Sequence, residues 1–157
     1  MGLEIERKFL VKGEPWRQAP DGVPMRQGYL VTGPPVSVRV RVAGGSARLT
    51  LKKAATGTGN LVRHEFEYPV PLEEAEAMLG SLAEGGLVEK TRYRVPCEGF
   101  VFEVDVFHGE NAGLVVAELE LSAPDQPFPR PPWLGEEVTG DPRYLNAALA
   151  RRPYRRW

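Results

Sequence analysis

The sequence is short of several residue types on which extracellular stability and much metal chemistry depend. Its single cysteine, Cys97, excludes an intrachain disulfide and any cysteine-built zinc cluster, and reads as a buried, inert thiol. No stretch approaches the ~20 consecutive apolar residues of a membrane span, and no apolar run opens the chain as a secretory signal would. A cytoplasmic protein is expected. Net charge is also scarce: 20 basic and 21 acidic side chains leave a formal charge of -1. That balance gives no bulk electrostatic case for nucleic acid or an anionic membrane, so any charge effect must come from local arrangement. Internal repeats and low-complexity tracts are absent as well.

What remains is a 157-residue chain, 42% hydrophobic and 26% charged, with the composition of a soluble globular protein. Its length suits one domain, residues 1–157, with a substantial core.

The most informative stretch is the first, Leu3 to Val11. Side chains alternate between the two faces of a strand, so Glu4, Glu6 and Lys8 share one face and Ile5 and Phe9 the other, with Arg7 off-pattern. Two carboxylates two residues apart repel unless a cation lies between them. A hard divalent ion accepts such oxygens, and phosphate oxygens can complete its shell. Lys8 adds a positive charge on that face. Taken alone, the nonamer is more simply a charged, solvated face of an antiparallel strand. The same pattern, however, returns along the chain.

Further strands are predicted over Met25–Val31, Val36–Val42, Ala47–Lys53, Leu61–Val70, Leu87–Val95, Phe100–Phe107 and Leu114–Leu121, separated by turn-forming clusters such as Ala43-Gly44-Gly45-Ser46 and Gly57-Thr58-Gly59-Asn60. His64 shares the apolar parity of its strand and is expected to pack. A helix is predicted from Pro71 to Glu84, with Glu73, Glu74 and Glu76 at its positive end and Gly85-Gly86 as its stop. Leu72, Ala75, Met78, Leu79 and Leu82 form its apolar stripe. After a proline-rich connector, Asp141-Pro142 is expected to cap a last helix ending near Arg152. The basic, aromatic tail Arg151 to Trp157 reads as a solvated, partly frayed terminus.

About eight strands joined by short turns argue for an antiparallel sheet that curls or closes. Opposite each apolar face lies a face made almost wholly of ions, grouped by sign. Acidic pairs are Glu4/Glu6, Glu65/Glu67, Glu103/Asp105 and Glu118/Glu120; basic sets are Arg39/Arg41, Arg48/Lys52 and Lys90/Arg92/Arg94. Same-sign neighbours are unfavourable unless opposite charge, metal or ligand faces them. A barrel with an ionic interior satisfies this requirement, and so does a sandwich with its charges outward.

Glu4-Ile5-Glu6-Arg7-Lys8 resembles the Glu-x-Glu-x-Lys signature of the CYTH family, the triphosphate tunnel metalloenzymes. Gln27-Gly28-Tyr29-Leu30, Arg39-Val40-Arg41, Leu49-Thr50-Leu51-Lys52, Arg63-His64-Glu65-Phe66-Glu67, Lys90-Thr91-Arg92-Tyr93, Glu103-Val104-Asp105-Val106-Phe107, Ala117-Glu118-Leu119-Glu120 and Trp133-Leu134-Gly135-Glu136-Glu137-Val138-Thr139 follow in the order of its short bacterial members. So do Asp141 and Tyr144-Leu145-Asn146.

The resemblance implies a mainly β (α+β) fold, an eight-stranded antiparallel β-barrel tunnel with a charged interior and flanking helices. It implies hydrolysis of a triphosphate with one or two Mg²⁺ or Mn²⁺ ions, by attack of a metal-activated water on phosphorus. Inorganic tripolyphosphate, giving pyrophosphate and phosphate, is the leading substrate. A class IV adenylate cyclase, a thiamine triphosphatase, or a non-catalytic polyphosphate- or nucleotide-binding module are the alternatives on the same fold. Carried over by position, Lys8, Arg39, Arg41, Lys52, Lys90 and Arg92 bind phosphate oxygens. Glu4, Glu6, Glu118 and Glu120 ligate metal, with Asp105 a second-rank candidate. Lys8, Lys90, Glu4 and Glu6 carry the catalytic assignment. The strand edges near a tunnel mouth leave room for a homodimer.

Overall fold

Alternation of apolar and ionic residues gives nearly every extended segment two unlike faces, and each strand pairs only with antiparallel neighbours. The computed structural model describes residues 2–157. Its strands are β1 (Gly2–Val11), β2 (Val23–Val31), β3 (Val36–Ala43), β4 (Ser46–Ala54), β5 (Val62–Val70), β6 (Glu84–Cys97), β7 (Phe100–Phe107), β8 (Val115–Glu120) and β9 (Leu134–Glu137). Helix α1 (Leu72–Ser81) precedes β6, and α2 (Asn146–Arg151) lies near the C-terminus. The sheet runs β5-β4-β3-β2-β6-β7-β8-β1, and a β1–β5 pairing closes it into an eight-stranded antiparallel barrel.

Strand β1 is the seam of closure. On one edge, Glu6 to Leu10 pair with β8. The other edge is divided, Gly2 to Ile5 going to β5 and Phe9 to Val11 to the short β9. The ninth strand lies in the segment after the proline-rich connector, where no strand was expected.

The apolar outer faces need cover. Ala75 and Leu79 of α1 bury Val40, Val42 and Ala47 beneath them. Phe102, Val104, Ala117 and Leu119 are covered by the connector residues Phe128 and Trp133, with Trp16 beside them. β5 is left bare: His64 is exposed rather than packed, and so are its apolar neighbours Phe66 and Tyr68.

Along most of its length the barrel interior is ionic, as expected, but at one end it is apolar. Leu10, Tyr29, Val88, Phe107 and Val116 form a core there with Tyr144, Leu149 and Ala150. α2 closes this end and brings Asn146 to the ionic zone.

Two helix boundaries differ from expectation. α1 stops at Ser81, and Gly85-Gly86 already belong to β6. Gly85 has φ +69°, and a Cβ added there would stand 2.5 Å from the Ala150 carbonyl oxygen, so the residue admits α2 against the start of β6. At the C-terminal end, the Asp141 side chain accepts from the Arg143 amide and caps only a single 3-10 turn, Pro142–Tyr144. Leu145 is then extended, with ψ 136°, and the α-helix starts at Asn146.

The tail is packed rather than frayed. Trp157 meets Tyr144 and Tyr154 edge-on at 5.1 and 5.0 Å, and the Tyr154 amide donates to Asn111 Oδ1 at 2.8 Å.

Candidate active site

The register of the barrel gathers the inward ions into one cavity of about 630 Å³. Of the expected site residues, Glu4, Glu6, Lys8, Arg39, Arg41, Lys52, Lys90, Arg92, Glu118 and Glu120 all line it. Within it the two signs are partly segregated.

The acidic part centres on β1 and β8. Glu6 is the direct cross-strand partner of Glu120, and Glu118 is partnered by Lys8 on β1 and by Glu103 on β7. Like charges directly opposite one another on a sheet are destabilising. Glu6 itself is shifted chiefly by burial, then by Glu118 and Glu4, which push its carboxyl up to about 8. Among the described residues its one ion-pair contact is the long 3.6 Å approach of Arg63. Glu4 differs. Burial alone would raise it, but Lys52 at 3.1 Å and Arg63 at 3.0 Å hold it below the usual carboxylate value. Glu118 is likewise held well below, against the effect of burial, by Lys8 at 3.5 Å and Arg92 at 3.1 Å. The partly exposed Glu120 is raised by burial and by the nearby Glu4, Glu65 and Glu103.

Among the described residues no three carboxylate, histidine or cysteine side chains converge as a ready-made ion site. The donor set is nevertheless one of hard oxygens with negative charge in excess around Glu6, which fits a hard divalent cation.

The basic part lies on β3 and β6. Arg41 is partly buried, and desolvation, then Arg39 and Arg92, pull its pKa down to about 10. Among the described residues Arg41 makes no ion pair; its Nε donates to the neutral Gln27 Oε1 at 2.8 Å. Arg39 donates to Thr50 Oγ1 at 3.1 Å and stands 3.6 Å from Glu67, while its buried Nε has no partner. Unsatisfied buried donors of this kind are costly and call for a ligand.

Lys90, 1% exposed, donates to Asp105 Oδ2 at 2.7 Å and to Asn146 Oδ1 at 3.0 Å. Burial pulls its ammonium down to about 7; Asp105 opposes this and Arg92 and Arg41 add to it. Asp105 stands apart from the other acidic residues. Lys90 and the Arg92 fork occupy both its oxygens at 2.7–2.9 Å, and although burial disfavours its charge, Arg92 and Lys90 hold it ionised. It anchors cations. Glu65, Glu67 and Glu103 do similar work nearer the rim, reaching Lys52 at 3.4 Å, Arg39 at 3.6 Å and Arg92 at 3.3 Å.

A cavity with an anion-seeking basic wall beside an underneutralised acidic one is what the Glu-x-Glu-x-Lys resemblance implies, and the CYTH domain family model matches residues 2–154. The chain belongs to the CYTH family. This CYTH protein is 48% identical over 155 residues to an inorganic triphosphatase of Acetivibrio thermocellus, spanning 99% of this chain and 97% of that relative. It is 45% identical over 156 residues to an inorganic triphosphatase of Nitrosomonas europaea, covering 94% and 96% of the two chains. A crystal structure of an inorganic triphosphatase aligns with a TM-score of 0.64 at 42% identity, covering 94% of this chain and 93% of that one.

The CYTH barrel also brings in residues the charge pattern did not single out. Arg63 reaches both Glu4 and Glu6. Gln27, fully buried, and Asn146 connect Arg41 to Lys90. Both amides lie in stretches that carried the CYTH resemblance, Gln27-Gly28-Tyr29-Leu30 and Tyr144-Leu145-Asn146, which gave them no role of their own.

Proposed function

We propose that this CYTH protein is a divalent-metal-dependent inorganic triphosphatase, cleaving tripolyphosphate to pyrophosphate and phosphate. The observation that carries the reading is Arg41, a partly buried cation that makes no ion pair among the described residues, in the same cavity as Glu6, a buried carboxylate without adequate countercharge. One lacks an anion and the other a cation. A triphosphate with its divalent ion supplies both, and the identity to two inorganic triphosphatases over nearly the whole chain supports that assignment.

In this reading Arg39, Arg41 and Arg92 grip phosphate oxygens through planar guanidinium forks, and Lys8, Lys52 and Lys90 act as point charges. Glu4, Glu6, Glu118 and Glu120 would hold one or two Mg²⁺ or Mn²⁺ ions, with Asp105 kept to orient Lys90 and Arg92. A bound divalent ion supplies Lewis-acid neutralisation of phosphate oxygens and activation of water. Phosphoryl transfer needs little covalent participation by the protein, so positioning and charge neutralisation account for the catalysis. Lys90 and Arg92, fixed by Asp105, are placed to hold charge that develops on the leaving pyrophosphate.

The test is phosphate release from tripolyphosphate, ATP and thiamine triphosphate, side by side, with Mg²⁺, Mn²⁺ or EDTA. Metal-dependent release from tripolyphosphate, with ATP much slower, is the expected result. Cyclic AMP as the main product from ATP would move the assignment to a cyclase. Binding of tripolyphosphate with no turnover under any metal would make the protein a binding module.

A further inference from the structure

The buried and partly buried cations of this cavity are braced in two different ways. Lys8, Lys52, Arg63 and Arg92 lean on carboxylates at 3.0–3.5 Å. Arg41 does not. Its Nε donates to Gln27 Oε1 at 2.8 Å, Gln27 Nε2 donates to Asn146 Oδ1 at 2.8 Å, and the same Asn146 oxygen accepts from Lys90 Nζ at 3.0 Å. Arg41 and Lys90 are thus linked by two neutral amides, Gln27 fully buried and Asn146 only 9% exposed.

The chemistry of an amide differs from that of a carboxylate in one decisive respect. Both accept a hydrogen bond through oxygen in nearly the same shape, but the amide adds no charge. Lys90 already has one carboxylate, Asp105 at 2.7 Å. In a low-dielectric cavity a carboxylate beside Arg41, or a second one beside Lys90, would cancel much of the field these cations exert on an incoming anion. An amide fixes their positions and subtracts nothing from that field. The cost is visible in Arg41, which stands among Arg39 and Arg92 with burial and repulsion disfavouring its charge.

We infer that Gln27 and Asn146 are positioning residues that hold Arg41 in place with no carboxylate beside it, and steady Lys90 without adding to its one carboxylate partner, Asp105, so that positive field is spared for the phosphate chain. This assignment gives α2 a role in the site: its first residue closes the amide bridge at the apolar end of the barrel. The inference rests on the anion-binding part of the proposed function and not on turnover.

The experiment is therefore equilibrium binding of tripolyphosphate in EDTA, by calorimetry, to the wild type and to three full-length variants. Asn146→Asp keeps the shape and both accepted hydrogen bonds and adds only a charge. Asn146→Ala removes the bridge and adds none. Gln27→Glu places the added charge at the Arg41 end, with the Asn146 amide free to turn and donate. Charge sparing predicts binding weakened ~tenfold or more by Asn146→Asp and Gln27→Glu, and less by Asn146→Ala. Melting temperatures of the charge variants should stay at or above the wild-type value.

Bracing alone predicts the reverse order, with Asn146→Ala the worst and Asn146→Asp close to wild type; that result overturns the inference. If Asn146→Ala fails to fold, wild-type affinity in Asn146→Asp still overturns it and a ~tenfold loss still supports it. Failure of the wild type to hydrolyse tripolyphosphate while binding it sinks the triphosphatase reading and leaves this comparison intact. Failure of the wild type to bind it at all overturns both.

Discussion

Glu6 of β1 stands directly opposite Glu120 of β8 on the inner face of the barrel, a carboxylate facing a carboxylate across an antiparallel ladder. Burial first, then the nearby Glu118 and Glu4, push the Glu6 carboxyl up to about 8. The folded protein therefore binds more protons at Glu6 than the unfolded chain does between about pH 4.5 and 8, and this site's contribution to stability falls as pH rises through that window. In EDTA, Glu6→Gln should equal or exceed the wild type in melting temperature at pH 8, and the wild type should lose ground to the variant from pH 5 to 8. Phosphate release by Glu6→Gln should drop by about a hundredfold or more at any pH. Near-wild-type turnover in that variant would remove Glu6 from the metal set.

Lys90 predicts a second pH dependence of opposite sign. Burial, helped by Arg92 and Arg41 and opposed by Asp105 and Glu118, pulls its ammonium down to about 7, so the unfolded chain binds the extra proton between about pH 7 and the ordinary lysine range. Stability from this site rises with pH there, while anion affinity falls as the positive charge is lost. The ratio kcat/KM for tripolyphosphate should decline above about pH 7, and Lys90→Arg, which stays charged, should abolish that alkaline limb. Persistence of the same limb in Lys90→Arg would assign it to another group.

Removal of the unpaired guanidinium should separate binding from folding. Arg41→Gln deletes a partly buried cation that stands among Arg39 and Arg92, so the melting temperature should hold or rise. A charge-assisted contact to phosphate is worth about 1.5–3 kcal/mol, so KM should rise by about tenfold or more. A destabilised variant with unchanged KM would show Arg41 to be structural.

Ligand and metal should act together on thermal stability. Saturation at about 100 times the dissociation constant adds about 2.7 kcal/mol, worth roughly 5–10 °C for a chain of this size. Tripolyphosphate with Mg²⁺ or Mn²⁺ should exceed the shift of either alone, and EDTA should return the protein to the shift for tripolyphosphate alone. Equal shifts with and without the metal would argue that the carboxylates bind none.

Gly85 provides a test that alters no charge. A Cβ there would meet the Ala150 carbonyl at 2.5 Å on a backbone already at φ +69°. Gly85→Ala should cost about 1–3 kcal/mol. Displacement of α2 and its Asn146 should also weaken tripolyphosphate binding. Wild-type melting in this variant would show that α2 is free to shift.

Period-two alternation, the sign grouping of the ions and the turn clusters are local properties of the chain, which is why the strands and their ionic faces were legible in the sequence. The pattern alone fitted an outward-charged sandwich as well; the inward turn of those faces and the roles of the residues from Glu4 to Glu120 were expectations from the CYTH resemblance. Pairing across the barrel is not local. That Glu6 faces Glu120, and that Asp105 spends its oxygens on Lys90 and Arg92 rather than joining Glu4 and Glu6, follows from register and closure.

Gln27 and Asn146 are 119 residues apart, and neutral amides leave no trace in a pattern of charges. The exposure of His64 shows the same limit, since parity put it on the outer face but only the placement of α1 and the connector left that face uncovered. The chain's own alternation settles which side chains share a face of each strand. Closure and register settle that the ionic faces turn inward, which ions neutralise one another and which, like Arg41 and Glu6, are left wanting a partner, because electrostatic energy depends on distance and burial that no single strand contains.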